Sequence, residues 1–103
     1  SPSSMRMQLC AGVAAVHDGE YVRARHCFER AAALDPLAPQ PWIEIARVAH
    51  RVGDHRAALA ALERARNSRP SDVARHQGEI DAVAKKIATP ATPPATAQPP
   101  TPR

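Results

Sequence analysis

The sequence predicts an all-α protein in which paired helices stack into an α-solenoid. Aromatic residues make up only 3% of the 103 residues, and β-branched residues are scarce too, whereas β-sandwiches and barrels need both on their pleated faces. Alanine and arginine, which are strong helix formers, dominate instead. Glycine and proline recur at a distance of 34 residues, and a fixed period of this length indicates a repeated structural unit.

Two pairs of punctuating residues define the repeat. Gly19 and Gly53 lie 34 residues apart, and so do Pro36 and Pro70. Each segment from glycine to proline has eighteen residues, and six of them are identical between the two copies. The identical pairs are Gly19/Gly53, Ala24/Ala58, Glu29/Glu63, Arg30/Arg64, Ala31/Ala65 and Pro36/Pro70.

Each copy is expected to fold as a helix, a turn and a second helix. Turn residues occupy positions 18–19 and 53–54, where Gly and Asp separate two apolar-periodic stretches. Pro36 and Pro70 stop the second helix of each copy, while Pro41 fits the first turn of a helix because no N–H is needed there. We therefore expect helices near residues 5–17, 21–34, 40–52, 55–68 and 72–88.

Residues of similar size and type recur at equivalent positions of the two copies. The second copy carries Trp42, Ile45, Ala46, Gly53, Ala58, Leu62, Ala65 and Pro70. The first carries Gly12, Gly19, Ala24, Phe28, Ala31 and Pro36, but has Gln8 where Trp is expected and Ala15 where Tyr is expected. This pattern resembles the tetratricopeptide repeat, which implies two repeats, over residues 5–38 and 39–72. In each repeat, two small residues would then let the paired helices touch: Gly12 and Ala24 in the first, Ala46 and Ala58 in the second. Phe28 and Leu62 would fill the space between the helices.

The ends of the chain complete the predicted architecture. Val73, Ile80, Val83, Ala84 and Ile87 form one apolar stripe at helical spacing, so residues 73–88 are predicted to be a capping helix. Residues 89–103 contain only Thr, Pro, Ala, Gln and a final Arg, and are expected to form an extended tail outside the fold. Residues 1–4 are assigned to an N-terminal extension.

The family resemblance also implies a concave groove lined by the first helix of each repeat. The first repeat gives this groove an apolar patch, and the second gives it a basic one. A bound segment would bury aliphatic side chains at one end and place an acidic group against Arg47, Arg51 and Lys85 at the other. The predicted groove residues are Arg6, Leu9, Val13, Val16, His17, Gln40, Ile43, Arg47, His50, Arg51, Gln77 and Lys85.

Several other kinds of site are not predicted. Family members that bind chaperone C-termini use Lys, Asn and Arg, where this chain has Leu9, Val13 and Glu44. No phosphate-binding loop, nucleophile elbow or metal-binding motif is present, so no catalytic residue, cofactor or metal is expected. An approach of His17 to His50 is the weaker metal or pH-switch alternative.

The function predicted from these features is non-catalytic protein binding. The chain is interpreted as a scaffold or assembly subunit that docks partner proteins through its groove and its tail, and self-association is left open. The alternatives are a transient adaptor for acidic peptides and a basic nucleic-acid-binding accessory protein. The net charge of +4 allows nucleic acid, but interspersed acids and the scarcity of aromatic stacking residues disfavour it.

The sequence also bears on localisation. No apolar run is long enough to span a membrane, and direct membrane contact is not indicated. The two cysteines do not form a disulfide framework, which favours the cytoplasm. The chain begins with Ser1 rather than Met, which leaves room for a preceding signal peptide or membrane anchor.

Overall fold

The computed structural model describes residues 2–88, with side chains from residue 4 onward. This part of the chain folds into helices without any strand, which confirms the all-α prediction. The predicted tail, residues 89–103, lies outside the described residues. The helices are α1 (Pro2–His17), α2 (Tyr21–Leu34), α3 (Pro39–Arg51), α4 (His55–Arg66), α5 (Pro70–Arg75) and α6 (Gln77–Ala88).

The two glycine turns have the predicted left-handed conformation. The φ angles of Gly19 and Gly53 are 76° and 83°. After α1, the N–H of Gly19 donates to the carbonyl of Val16 (3.0 Å) and the N–H of Glu20 to that of Ala15 (2.8 Å). This pair of bonds is a Schellman motif, and the turn after α3 repeats it. Each turn therefore reverses the chain so that the second helix of the repeat packs against the first.

Small residues bring the paired helices close together, as predicted. Helix α1 packs on α2, and α3 packs on α4. Phe28 is fully buried and lies so close to Gly12 that no side chain fits at that position. In the second repeat, Ala46 and Ala58 are also fully buried, and both belong to the same hydrophobic core as Phe28. The core is thus continuous across both repeats.

A polar connection joins the ends of the two repeats. The N–H of Arg69 donates to the carbonyl of Leu37 (2.8 Å), and its guanidinium forms an ion pair with Asp35 (3.2 Å). The same guanidinium contacts Asp72 (2.7 Å), which also pairs with Arg75. A hydrogen bond from Arg69 and a second, less effective one from Arg75 lower the pKa of the Asp72 carboxyl below its ordinary value.

The N-terminal extension expected over residues 1–4 is largely helical. Helix α1 begins at Pro2, so residues 2–4 belong to it rather than to a separate segment. Proline suits this place because the first N–H groups of a helix have no partner within it.

The C-terminal cap is not the single helix that we expected. Helix α4 ends at Arg66, and Pro70 opens the short α5 because the residue before a proline is driven to an extended conformation. Helix α5 ends at Arg75, and His76 separates it from α6. The apolar stripe is confirmed, since Ile80, Val83 and Ile87 are buried against α3 and α4. None of the helices in residues 2–88 is both long and apolar enough to cross a membrane.

Candidate partner-binding groove

The first helix of each repeat and α6 share one face, on which two depressions adjoin. The larger one, of about 700 Å³, lies between α1 and α3. Apolar side chains of α1 form much of it, and Val13 is 41% exposed there. Its lining residues are Met5, Arg6, Leu9, Cys10, Val13, Ala14, His17, Gln40 and Glu44.

The smaller depression, of about 150 Å³, lies between α1, α3 and α6. Three valines contribute apolar surface, and basic groups surround them. This volume is below the roughly 300–1,000 Å³ of small-molecule sites, whereas that of the larger depression falls within this range. Its lining residues are Val16, Glu44, Arg47, Val48, His50, Arg51, Val83 and Lys86.

Glu44 lines both depressions and holds Arg47. The Arg47 guanidinium lies 2.9 Å from the Glu44 carboxylate and 3.9 Å from that of Glu79 on α6. Arg47 and Arg51 are one helical turn apart, where like charges repel unless an anion lies nearby. The chain itself supplies this anion for Arg47, so the charge of Arg47 is largely compensated within the molecule.

Arg51 is held by a neutral group instead. Its guanidinium donates to the Tyr21 hydroxyl (2.8 Å) and lies 5.4 Å from the centre of the Tyr21 ring. This contact orients Arg51 without cancelling its charge. Lys86 lines the same depression from α6. The positive charge offered at this end of the groove therefore comes mainly from Arg51 and Lys86.

The structure brings together most, but not all, of the predicted groove residues. In the larger depression they are Arg6, Leu9, Val13, His17 and Gln40, and in the smaller one Val16, Arg47, His50 and Arg51. Ile43 is fully buried in the core. Gln77 is exposed and donates to Asp81 (2.8 Å) on α6.

Lys85 does not line the depression that holds Arg47 and Arg51. It lies in a separate shallow depression with Gly78, Asp81, Ala82 and Ala84. The 34-residue register continues into the last helix at its buried positions, since Ile80 and Val83 occupy the places of the buried Ala46 and Ala49. Successive residues of a helix differ by 100° in direction, so Lys86 and not Lys85 lines the groove.

Sequence reasoning did not include several other lining residues. Val83 was predicted only as part of the apolar stripe, and Lys86 follows it by three positions on the same side of α6. That spacing could have identified Lys86. Val48 and Ala14, one period apart, line corresponding places in the two depressions.

The described residues contain no metal-binding cluster of three or more His, Cys, Asp or Glu side chains. Cys10 is exposed in the larger depression, and Cys27 is buried in α2. His17 and His50 line different depressions.

Two helical hairpins stacked in register and closed by further helices define an α-solenoid of helical repeats. A family model described as tetratricopeptide repeat matches residues 15–80, and the chain belongs to this family. Tetratricopeptide repeats are generally protein–protein interaction modules and are typically non-catalytic. No curated protein and no solved structure shows significant similarity to the chain.

Proposed function

We propose that this chain is a non-catalytic docking subunit that binds a segment of a partner protein along the groove of α1, α3 and α6. One observation carries the proposal: a strip of accessible apolar surface on α1 continues into a valine-lined depression with a basic rim. Such a surface suits a segment that combines aliphatic side chains with an acidic residue.

The apolar part of the groove supports burial of aliphatic side chains. Val13 is exposed beside the larger depression, and Val16, Val48 and Val83 line the smaller one. Covering such surface contributes about 25 cal/mol per Å² of apolar area removed from water. The valine-lined depression then acts as the anchor for one partner side chain.

The basic rim supports an acidic residue in the partner. Arg51 is positioned by Tyr21 and keeps its charge, and Lys86 faces it across the depression. The only carboxylate that lines the two depressions is that of Glu44. The Arg and Lys side chains that line them are Arg6, Arg47, Arg51 and Lys86. A partner carboxylate would complete this arrangement by charge-assisted hydrogen bonds.

Nucleic-acid binding is the less favoured alternative because the aromatic rings are buried or already in contact with arginines. Phe28 is fully buried, Trp42 lies under the guanidinium of Arg64, and Tyr21 is engaged by Arg51. None of the three offers a free ring on which bases could stack. The groove chemistry favours a polypeptide.

Adjacent lysines of α6 provide a matched test of the basic rim. Short random peptides displayed on phage are selected on the wild-type protein, and we expect enrichment of sequences that combine aliphatic residues with Asp or Glu. The enriched peptide should bind Lys86→Glu at least tenfold more weakly, and Lys85→Glu almost unchanged. Equal losses in both variants, or selection of basic peptides, would contradict the proposal.

Two exposed valines provide the matched test of the apolar strip. Val13→Asp alters the groove, and Val22→Asp alters the outer surface of α2, where Val22 is 75% exposed. Affinity purification of a native complex with each variant should lose the partner only for Val13→Asp. A stable complex that survives washing supports an assembly subunit, whereas a rapidly dissociating one supports a transient adaptor.

A further inference from the structure

A half-buried histidine, His50, lines the smaller depression of the groove. It stands in the last turn of α3, next to Arg51 in the chain and close to one helical turn after Arg47. Within residues 4–88, no hydrogen bond or ion pair engages its imidazole ring. Both ring nitrogens of His50 are therefore left for a bound partner.

The charged groups that line this depression with His50 are mostly positive. Arg51 and Lys86 line it, and no carboxylate of the described residues pairs with either of them. Arg47 lines it as well, but the carboxylate of Glu44 lies 2.9 Å from its guanidinium and that of Glu79 lies 3.9 Å away. The acidic groups on this side of the groove are therefore engaged by Arg47, and a carboxylate for His50 has to come from a partner.

The other helices that pack on α3 add no further charge to the smaller depression. Helix α1 lines it through Val16, and α2 reaches it only through the Tyr21 hydroxyl, which accepts from Arg51. No residue of α4 lines it. His17, the other histidine of the groove, lines the larger depression. A change of charge at His50 is thus felt mainly by whatever occupies the smaller depression.

Histidine differs in titration from the other side chains that line this depression. Of the types present, which are Val, Glu, Arg, Lys and His, histidine alone ordinarily changes its charge between about pH 5 and 8. A partner carboxylate near the ring favours its protonated form, because an opposite charge stabilises the charged state of a titratable group. Since linkage is reciprocal, protonation of the ring then strengthens binding of the carboxylate by the same factor.

We infer that His50 makes the groove sensitive to pH, so that an acidic partner segment binds more tightly in mild acid and takes up a proton from solvent as it binds. This inference rests on the proposed function, since it requires an acidic segment in the groove. The proton goes to the imidazole, which then has two N–H donors. Above the histidine range the ring is neutral, and Arg51 and Lys86 hold the partner carboxylate without it.

The affinity of a phage-selected acidic peptide that contains no histidine, measured at about pH 8 and about pH 5.5, tests the inference. The wild type should bind about fivefold more tightly at the lower pH, the upper end for an exposed ion pair. His50→Gln should remove this difference, and so should replacing the acid of the peptide by its amide. His17→Gln is the matched control in the larger depression and should keep the difference. A pH-independent affinity of the wild type, or an unchanged difference in His50→Gln, overturns the inference.

Proton uptake gives a second readout that needs no substitution. Titration calorimetry in buffers of different ionisation enthalpy should show uptake of a fraction of a proton when the wild type binds the peptide in the histidine range. His50→Lys, whose charge is fixed, should bind at about pH 8 as tightly as the wild type does at about pH 5.5, and without proton uptake. Binding of the wild type without proton uptake overturns the inference. Lys86→Glu separates the two proposals: if it weakens binding while the affinity of the wild type stays independent of pH, the proposed function holds and this inference fails.

Discussion

The guanidinium of Arg64 lies over the indole ring of Trp42, 4.3 Å from the ring centre. One period earlier, Arg30 donates through Nε to the side-chain oxygen of Gln8 (3.3 Å). The arginine is the same in both repeats, but its partner changes from an aromatic face to an amide. The departure from Trp at residue 8 therefore keeps the contact between the helices and replaces a cation–π interaction with a hydrogen bond.

Removing the arginine from this stack should destabilise the protein modestly. We expect Arg64→Ala to lower the free energy of unfolding by about 0.5–1 kcal/mol, because an exposed cation–π contact is lost. Urea denaturation followed by the fluorescence of Trp42, the single tryptophan, measures this. Arg66→Ala, at an exposed position two residues along α4, is the control; an equal effect there would contradict the expectation.

Two glycines should respond to the same substitution in opposite ways. In Gly12→Ala, the new Cβ would lie 2.7 Å from the Cδ1 and Cζ atoms of buried Phe28, and we expect a loss of about 1–3 kcal/mol through overpacking. In Gly78→Ala, the new Cβ meets open space within α6, and we expect a gain of about 0.5–1 kcal/mol. Thermal unfolding should therefore move the midpoint down for the first variant and up for the second.

The N-termini of α2 and α4 differ in capping. The Asp54 side chain accepts from the N–H of Ala57 (3.1 Å), whereas Glu20, its equivalent, makes no such bond. We expect Asp54→Ala to cost about 1 kcal/mol. We expect Glu20→Asp to stabilise the protein by a fraction of that value, because the shorter side chain suits the cap. Chemical denaturation of both variants decides this, and a destabilising Glu20→Asp would show that its ion pair with Arg23 matters more.

Stability should decrease in acid partly through Asp72. Because hydrogen bonds from Arg69 and Arg75 lower its pKa in the folded state, this carboxylate stabilises the fold above the ordinary Asp pKa of about 3.9. The contribution is lost as the pH falls through the lowered value. Urea denaturation from neutral to acidic pH should show a smaller acid loss for Asp72→Asn than for the wild type.

The control for this pH dependence is Asp81→Asn. The Asp81 carboxylate accepts from the neutral amide of Gln77 rather than from a cation. An Asp72→Asn variant with the same acid dependence as the wild type and Asp81→Asn would refute the role of Asp72.

The repeated part of the fold was predictable because each structural need recurs at the same place. Gly19 and Gly53 both end a first helix with positive φ, and small residues such as Gly12 and Ala46 recur where helices touch. Two occurrences of one pattern make a local interpretation much more specific than a single one. The apolar side of the cap followed from helical spacing alone.

The details that the sequence did not reveal depend on contacts between helices that the 34-residue repeat does not specify. Val83 and Lys86 line the smaller depression from α6, whereas Lys85 lies in a separate shallow depression, and the 34-residue spacing alone did not distinguish the two lysines. The pairing of Arg47 with Glu79 joins α3 to α6, and no spacing rule connects these residues. The contacts of α6 with α3 therefore decide which charges lie at that end of the groove.

The link from Arg69 to Asp35 and Leu37 bears on how the molecule unfolds. In a repeat array, the coupling between neighbouring units decides whether they melt together or one after the other. Here the end of the second unit is bonded to the end of the first, and the hydrophobic core runs through both. We therefore expect one cooperative transition rather than sequential loss of units, so that a partially melted protein with one intact repeat is rarely populated.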